Sequence, residues 1–428
     1  MANSTQQRGY IPAIGTAIAA LVCLALALAP SAQAQKKFKV LYSFGGQPDG
    51  WIPTSMSLET KGALYGATAQ GGSESCTYFG QEYGCGMVFK VSSTGKESVL
   101  YNFTGYAYSD GENPTTGLIQ DVSGNIYGTT WYGGTGSCSD DGLDAGCGTV
   151  FKIDRTGKET VLYSFTDQPD GASPSSGVII DSKGNLYGTT LYGGTYGYGT
   201  VFKLDTSGQE TVLYSFAGGT ADGGEPYAGL YRDKAGNLYG TTILGGTYFF
   251  GTVFKVDATG HETVLYSFSN GQDGGAPASN LIRDAKGNFY STTQQGGDSS
   301  CNHGNGCGTV FKITPNGTLR TLHAFTGGKD GAVPYHVTLI LDNVGNIYGS
   351  TAYGGNSSCS RQMGCGTVFK LTKAGKDVIL HRFTGGADGA YPVAGVGRDA
   401  KGNVYGTASG GGNTKCDGGC GTVWKLTP

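Results

Sequence analysis

Charge is scarce in this sequence. Only 14% of its 428 residues are Asp, Glu, Lys or Arg, and the formal net charge is −3. Charge so sparse and so evenly scattered excludes a disordered polyelectrolyte and suggests neither nucleic acid nor an anionic membrane as partner. Runs rich in Leu, Glu and Lys are missing too, which argues against a helical bundle. After residue 29 no stretch is long and apolar enough to cross a bilayer as a helix. There is no Gly-x-Ser-x-Gly, no phosphate-binding loop and no His-Glu-x-x-His. The five histidines (His261, His303, His323, His336 and His381) are scattered and show no metal spacing. What abounds is glycine, 78 residues, together with 27 tyrosines. Without a Gly-X-Y period this glycine is not collagen, and a turn-dense, all-β globular protein remains.

The first 34 residues differ in kind. Arg8 precedes an apolar run at 13–29, and Ala32-Gln33-Ala34 reads as a small-residue cleavage site. An uncleaved membrane anchor competes with this reading, but the Ala-x-Ala end and the polar Gln35-Lys36-Lys37 favour a cleaved signal peptide. The expectation is therefore a secreted or periplasmic protein, cut after Ala34, with 35–428 as one domain.

Three strings recur seven times. Gly-(Thr/Met)-Val-(Phe/Trp)-Lys occurs at 86–90, 148–152, 199–203, 251–255, 308–312, 366–370 and 421–425. Alternating apolar runs end at Phe44, Phe103, Phe165, Phe216, Phe268, Phe325 and Phe383. Gly-Asn-x-Tyr places Tyr127, Tyr187, Tyr239, Tyr290, Tyr348 and Tyr405, with Tyr65 as a Gly-Ala-Leu-Tyr variant. In the fourth unit these strings predict strands at 229–233, 237–242, 251–257 and 262–268, rich in β-branched and aromatic residues and bounded by Gly and Asp. Asp233-Lys234-Ala235-Gly236 and Asp257-Ala258-Thr259-Gly260 read as tight hairpin turns whose Gly is left-handed. Asp121, Asp181, Asp284, Asp342 and Asp399 open the first of these turns elsewhere, and Glu59 stands there in the first unit.

Longer links lie at the other end of the strands: one carries Asp-Gly-x-x-Pro, the other follows a Gly-Gly pair. Four-stranded antiparallel meanders repeated at this period are the signature of a seven-bladed β-propeller. Segment 37–44 is a fourth strand without a third, and 421–428 a third without a fourth. Their pairing would close the ring, whereas a solenoid would need caps that this sequence lacks.

Ten cysteines outside the signal form five local pairs: Cys76/Cys85, Cys138/Cys147, Cys301/Cys307, Cys359/Cys365 and Cys416/Cys420. Each pair sits in the loop after Gly-Gly, and units three and four, which lack cysteine, have the shortest such loops. Five disulfides in an oxidising compartment follow. Zinc is the rival, but two cysteines do not make a four-ligand site.

The Asp-Gly acids are Asp49, Asp110, Asp170, Asp222, Asp273, Asp330 and Asp388. A ring of carboxylates would gather a cation, but each is better read as capping its own turn. Seven third-strand lysines (Lys90, Lys152, Lys203, Lys255, Lys312, Lys370, Lys425) and the second-strand tyrosines are likewise read as packing elements rather than polysaccharide contacts. Asp140, Asp141 and Asp144 read as a solvated loop tip and not a calcium loop. No metal site and no cofactor are expected. Function on a repeat scaffold lives where copies differ. Trp51, Tyr106, Tyr108, Trp131, Tyr132, Tyr196, Tyr198, Phe249, Phe250, Tyr335 and Tyr391 are the loop aromatics that do differ, suited to stacking on sugar rings or a protein.

Leu213-Tyr214-Ser215-Phe216, Asp222-Gly223, Gly236-Asn237-Leu238-Tyr239-Gly240-Thr241-Thr242, Gly245-Gly246 and Gly251-Thr252-Val253-Phe254-Lys255 resemble the GloVer tandem repeat of exported bacterial "choice-of-anchor" proteins. The likeness runs through the whole chain after the signal. A looser one, to NHL-type and two-component-regulator propellers, supports the fold only. The resemblance brings no biochemical activity with it. Many members end in a surface-anchoring tail; this sequence stops at Pro428 without one, so no anchor is expected. The leading expectation is a monomeric, non-catalytic binding module for a glycan or protein ligand. An exported polysaccharide lyase or hydrolase, and a purely structural surface protein, are the alternatives.

Overall fold

The Asp-x-x-Gly turns fold as the sequence reads. In the fourth unit the Asp233 carboxylate accepts from the Asn237 backbone N–H at 2.9 Å, the Asn237 side-chain amide at 2.8 Å and the Tyr239 hydroxyl at 3.2 Å. Gly236 takes φ 92°, a conformation a Cβ would oppose. Asp121, Asp181, Asp284, Asp342 and Asp399 make the same three bonds. In the first unit Lys90 takes over, donating to the Tyr65 hydroxyl at 2.7 Å and pairing with Glu59 at 3.6 Å.

The structure is a computed structural model that describes residues 37–427 except 60–61, 79–80, 116, 141–142 and 360–362. The expected signal segment 1–34 lies outside the described residues, as does Asp141. Seven antiparallel sheets, six built on four strands sequential in the chain and the seventh on three plus the N-terminal strand, make a seven-bladed β-propeller. In the fourth blade the strands are Tyr231–Arg232, Leu238–Thr242, Thr252–Val256 and Glu262–Ser267. The innermost strand is shorter than 229–233 because Gly229 leaves the ladder and donates its N–H to Asn280 Oδ1 of the next blade, at 2.7 Å.

The ring closes as expected. Lys37–Ser43 is the outer strand of the seventh blade and pairs antiparallel with Thr422–Thr427, from Lys37 opposite Thr427 to Ser43 opposite Thr422. Phe44 lies just past this strand, its N–H donating to the Gly421 carbonyl at 3.1 Å.

The core lies between blades. Each fourth-strand Phe meets the third-strand aromatic of the following blade edge-on, from Phe44 with Phe89 through Phe216 with Phe254 to Phe383 with Trp424, at centroid distances of 5.0–5.9 Å. All fourteen rings are buried. Edge-to-face pairs of this kind contribute about 0.5–1.5 kcal/mol each beyond their area. The third-strand lysines pair across their own blade with the second-strand tyrosines, and five ammonium groups stand 4.6–5.9 Å from the Tyr ring centre. These two series serve packing.

Five disulfides close the loops after Gly-Gly, in the pairs read from the sequence: Cys76–Cys85, Cys138–Cys147, Cys301–Cys307, Cys359–Cys365 and Cys416–Cys420, with Cα–Cα separations of 4.9–5.6 Å. The second cysteine of each pair (Cys85, Cys147, Cys307, Cys365 and Cys420) belongs to the core, with 0–3% of its surface exposed. The cause is its place in the chain, directly before the Gly that opens the third strand. There it packs in the same cluster as its blade's fourth-strand Phe: Cys85 with Phe103, Cys147 with Phe165, Cys307 with Phe325, Cys365 with Phe383 and Cys420 with Phe44. These five are structural residues that offer no face to a ligand; each ties its loop to the core. Among the described residues no helix is long and apolar enough to cross a membrane.

Candidate functional site

The Asp-Gly-x-x-Pro loops join one blade to the next on the face opposite the hairpins. Their acids stand at the periphery and not around the axis, because each is held by the outer strand. The Asp49 carboxylate accepts from the Gly45 and Gly50 N–H groups, both at 2.8 Å, and from the Tyr42 hydroxyl at 2.9 Å. Asp110, Asp170 and Asp273 take the hydroxyls of Tyr101, Tyr163 and Tyr266 at 2.7–3.1 Å. Asp222 takes the Ala217 and Gly223 N–H groups, both at 2.7 Å. In the last two loops histidine replaces tyrosine: His323 stands 3.3 Å from Asp330 and His381 3.0 Å from Asp388. Burial pushes these two carboxyls up, but hydrogen bonds from His and Thr win and hold both below the usual range.

Four glutamates that open outer strands crowd the same crevices, a feature the sequence reading missed. Burial, reinforced by a neighbouring Asp-Gly acid, raises Glu97 and Glu210 to about 7 and Glu159 and Glu262 to about 8. Among the described residues no three His, Cys, Asp or Glu side chains are grouped to hold a metal.

The residue before each repeated proline is left-handed without being glycine: Ile52, Asn113, Ser173, Glu225, Ala276, Val333 and Tyr391, at φ 48–57°. Side chains oppose this conformation. In six of the seven loops its N–H compensates by bonding a carbonyl of the preceding blade at 2.8–3.0 Å, as Glu225 does to Tyr198. The chain is thereby turned inward, and the residues after the proline reach the axis. There small residues meet. Asn280 Nδ2 donates to Thr338 Oγ1 at 3.2 Å, and the Val396 N–H donates to the Thr338 carbonyl at 3.3 Å.

Above this constriction stands an aromatic cluster drawn from alternate blades. Trp131 of the second blade, Tyr227 from the loop entering the fourth, and Tyr335 and His336 from the loop entering the sixth touch one another. Tyr227 lies 5.9 Å from Trp131, 5.8 Å from Tyr335 and 4.4 Å from His336 between ring centres, and Tyr335 lies 3.8 Å from His336. The Tyr335 hydroxyl donates to that of Tyr227 at 2.8 Å. Blades that are not neighbours in a ring meet only at its axis, so the cluster lies across the central opening. Burial holds both tyrosines above their usual range and pushes His336 down to about 3. These four rings are therefore uncharged at neutral pH. His336 is partly exposed as a residue, yet its Nε2 is shut off from solvent with no hydrogen-bond partner.

His336 is also an extra residue. Seven positions separate the repeated proline from the hairpin acid in five units, but eight separate Pro334 from Asp342. The insertion is accommodated at His336 itself, with φ 56°. Sequence reasoning found Trp131 and Tyr335 but missed Tyr227 and His336. The signal was there: after the proline most units carry Thr, Ser, Ala or Val, and only these two carry Tyr.

The other loop aromatics go elsewhere. Tyr132 packs beside Trp131 at 6.3 Å, Trp51 lies 5.6 Å from Tyr83, and Tyr391 lies 5.7 Å from Tyr353. Phe250 is partly buried against the core between the fourth and fifth blades, and Tyr106 is half-buried in a single 3₁₀ turn. Tyr196, Tyr198 and Phe249 are exposed on the two disulfide-free loops, with Tyr248 beside them. The side chains of Tyr108, Asp140 and Asp144 lie outside the description.

Fold and site together define a closed seven-bladed propeller with an aromatic mouth on its long-loop face. The Gloeobacter/Verrucomicrobia repeat model matches residues 75–304, 136–360 and 300–428, and the chain belongs to that family. No curated protein matches it. Among solved structures it is similar to virginiamycin B lyase from Staphylococcus aureus, at 11% identity over 92% of this chain and all of that one, with a TM-score of 0.56. A catalytically inactive histidine variant of that lyase, with quinupristin, aligns at 12% identity over 92% and 100%, TM-score 0.54. The extracellular domain of a B. thetaiotaomicron protein assigned to the hybrid two-component systems aligns at 11% over 91% of this chain and 39% of that one, TM-score 0.53. At such identities these likenesses bear on the fold alone.

Proposed function

We propose that this protein is an exported, non-catalytic binding module that takes a neutral glycan at the axis mouth of its long-loop face. One observation carries the reading: Trp131, Tyr227, Tyr335 and His336, from alternate blades, converge, and none of these four side chains has a pKa suited to proton transfer. Ring faces stack on the apolar faces of sugars, and uncharged rings suit a ligand without charge. A general base works best with a pKa near the operating pH. A histidine held near 3 is a weak base, which favours binding over turnover. Export is supported by the five disulfides and by the signal-like residues 1–34.

The test is a glycan array with the secreted protein, followed by titration of each hit against Trp131 emission and a turnover assay. Binding that perturbs this emission and is lost in Tyr227→Ala is the expected result. Product formation that depends on His336 would replace the reading with an enzyme, and hits insensitive to Tyr227→Ala would move the site elsewhere.

A further inference from the structure

The repeats provide an internal control for charge. Between neighbouring blades, the hairpin face carries crevices built from equivalent turns, so a crevice that departs from its counterpart marks something the scaffold does not need. Between the first and second blades the crevice comprises adjoining recesses of about 470 and 300 Å³, and its acids outnumber its cations: Lys90 and Arg155 face Glu59, Asp121 and Asp154. Lys90 is paired with Glu59 at 3.6 Å.

The crevice between the fifth and sixth blades, about 770 Å³, is lined by five cations: Arg283, Lys286, Lys312, Arg320 and Lys373. Its carboxylates are Asp284 and Asp342, and both are committed to their own turns through Asn288, Tyr290, Asn346 and Tyr348. Three differences create the imbalance, the first being Arg283 on the innermost strand where the first blade has Leu58. The outer strand carries Arg320 where the first four blades have Ser98, Thr160, Thr211 and Thr263, and the hairpin at 372–375 opens with Thr372-Lys373 where blades two to four open with Asp. Lys286, Arg320 and Lys373 are exposed, and none joins an ion pair among the described residues. Leu322, Leu341, Ile347 and Tyr290 give the groove an apolar floor.

We infer that this groove is a second binding site, on the face opposite the aromatic mouth, for an acidic polysaccharide chain. Clustered cations above low-dielectric walls focus potential on an anion, even on a molecule whose net charge is −3. The apolar floor matches the CH faces of sugar rings, while the cations along its rim match carboxylates or sulfates on them. A recess between blades admits a chain, whereas a flat bilayer would need a convex basic surface.

Affinity electrophoresis in gels containing polygalacturonate, heparin or neutral dextran tests this, with phosphatidylglycerol vesicles in a sedimentation arm. Retardation by polygalacturonate, by heparin or by both, but not by dextran, is expected, weakening as salt rises. Arg320→Glu with Lys373→Glu weakens it at least about tenfold, which is about 1.4 kcal/mol; Arg155→Glu, in the crevice between the first and second blades, does not. The two substituted positions are exposed, so circular dichroism of the double variant should match the parent. Tyr227→Ala leaves retardation intact, which separates this site from the mouth. The inference fails if neither polyanion retards the protein at low salt, if the double variant is retarded like the parent, or if only the vesicles bind it.

Discussion

Gly421 is packed against Pro53 so closely that a Cβ on the glycine would collide with the proline Cδ. The two residues belong to the last and first blades, so this contact is part of what shuts the ring. The same glycine–proline contact recurs at every blade boundary, as between Gly251 and Pro277 and between Gly308 and Pro334. It explains why the third-strand string opens with Gly and the loop string ends with Pro: they are two halves of one clasp. Gly421→Ala should cost about 2–4 kcal/mol, combining overpacking with left-handed strain at φ 95°. Gly375→Ala, at φ 84° with open space around its Cβ, should cost only about 1 kcal/mol. Urea unfolding of both variants checks the difference.

Stability should fall as pH rises from about 5 to about 8. Glu97, Glu159, Glu210 and Glu262 have folded pKa values of about 7–8, above their unfolded value of 4.5. The folded state therefore keeps protons that the unfolded chain has released, and that advantage disappears across this window. Their nearest charged neighbours, Asp49, Asp110, Asp170 and Asp222, act in the same direction. The hairpin acids work oppositely: Asp121, Asp181, Asp233, Asp284, Asp342 and Asp399 are held below the usual value despite burial, by Asn and backbone hydrogen bonds. Their contribution is present above about pH 4 and lost as pH drops through their folded values. Thermal midpoints should peak near pH 4–5, and replacing the four glutamates by Gln should flatten the alkaline limb. A midpoint that climbs steadily from pH 5 to 8 would contradict this.

Tyr227→Phe should cost about 1 kcal/mol, since it strips the Tyr335 hydroxyl of its partner in a half-buried place. Deleting His336 restores the seven-residue interval of the other loops and removes a left-handed side chain. That variant should fold with a midpoint close to the parent's while losing affinity for any ligand at the mouth. Denaturation and titration of the same preparations give both readouts.

Removing one disulfide, as in Cys138→Ser with Cys147→Ser, should cost about 2–3 kcal/mol on the loop-entropy model. Reduction should raise amide exchange in the loops of five blades and leave the loops at 193–199 and 245–251 unchanged, since these hold no cysteine. Exchange measured by mass spectrometry with and without reductant reads this directly.

Most of the fold was legible because its determinants are local. An Asp-x-x-Gly turn is decided within six residues, and a cysteine pair within ten, so each copy repeats its message. Closure was legible because 37–44 and 421–428 are the two missing parts of one unit. The pairing of Cys85, Cys147, Cys307, Cys365 and Cys420 was legible for the same local reason, but their burial was not, because it depends on how the blades pack. The mouth was only half legible. Tyr335 stands out beside a repeated proline, but its contact with Tyr227 joins positions 108 residues apart in blades that are not neighbours. The buried glutamates were missed because a Glu opening an outer strand looks solvated. Only the neighbouring blade, with its Asp and Tyr, takes the water away. The cations of the basic groove span 91 residues of a weakly acidic chain, and only blade packing gathers them.

Lys37 and Thr427 sit opposite each other at the hairpin end of the seventh blade. A tether on either terminus would thus depart from the underside of the disc, beside the rim. Held that way, the molecule would turn its tyrosine-rich opening outward to the surroundings and its basic groove inward, toward whatever surface holds it.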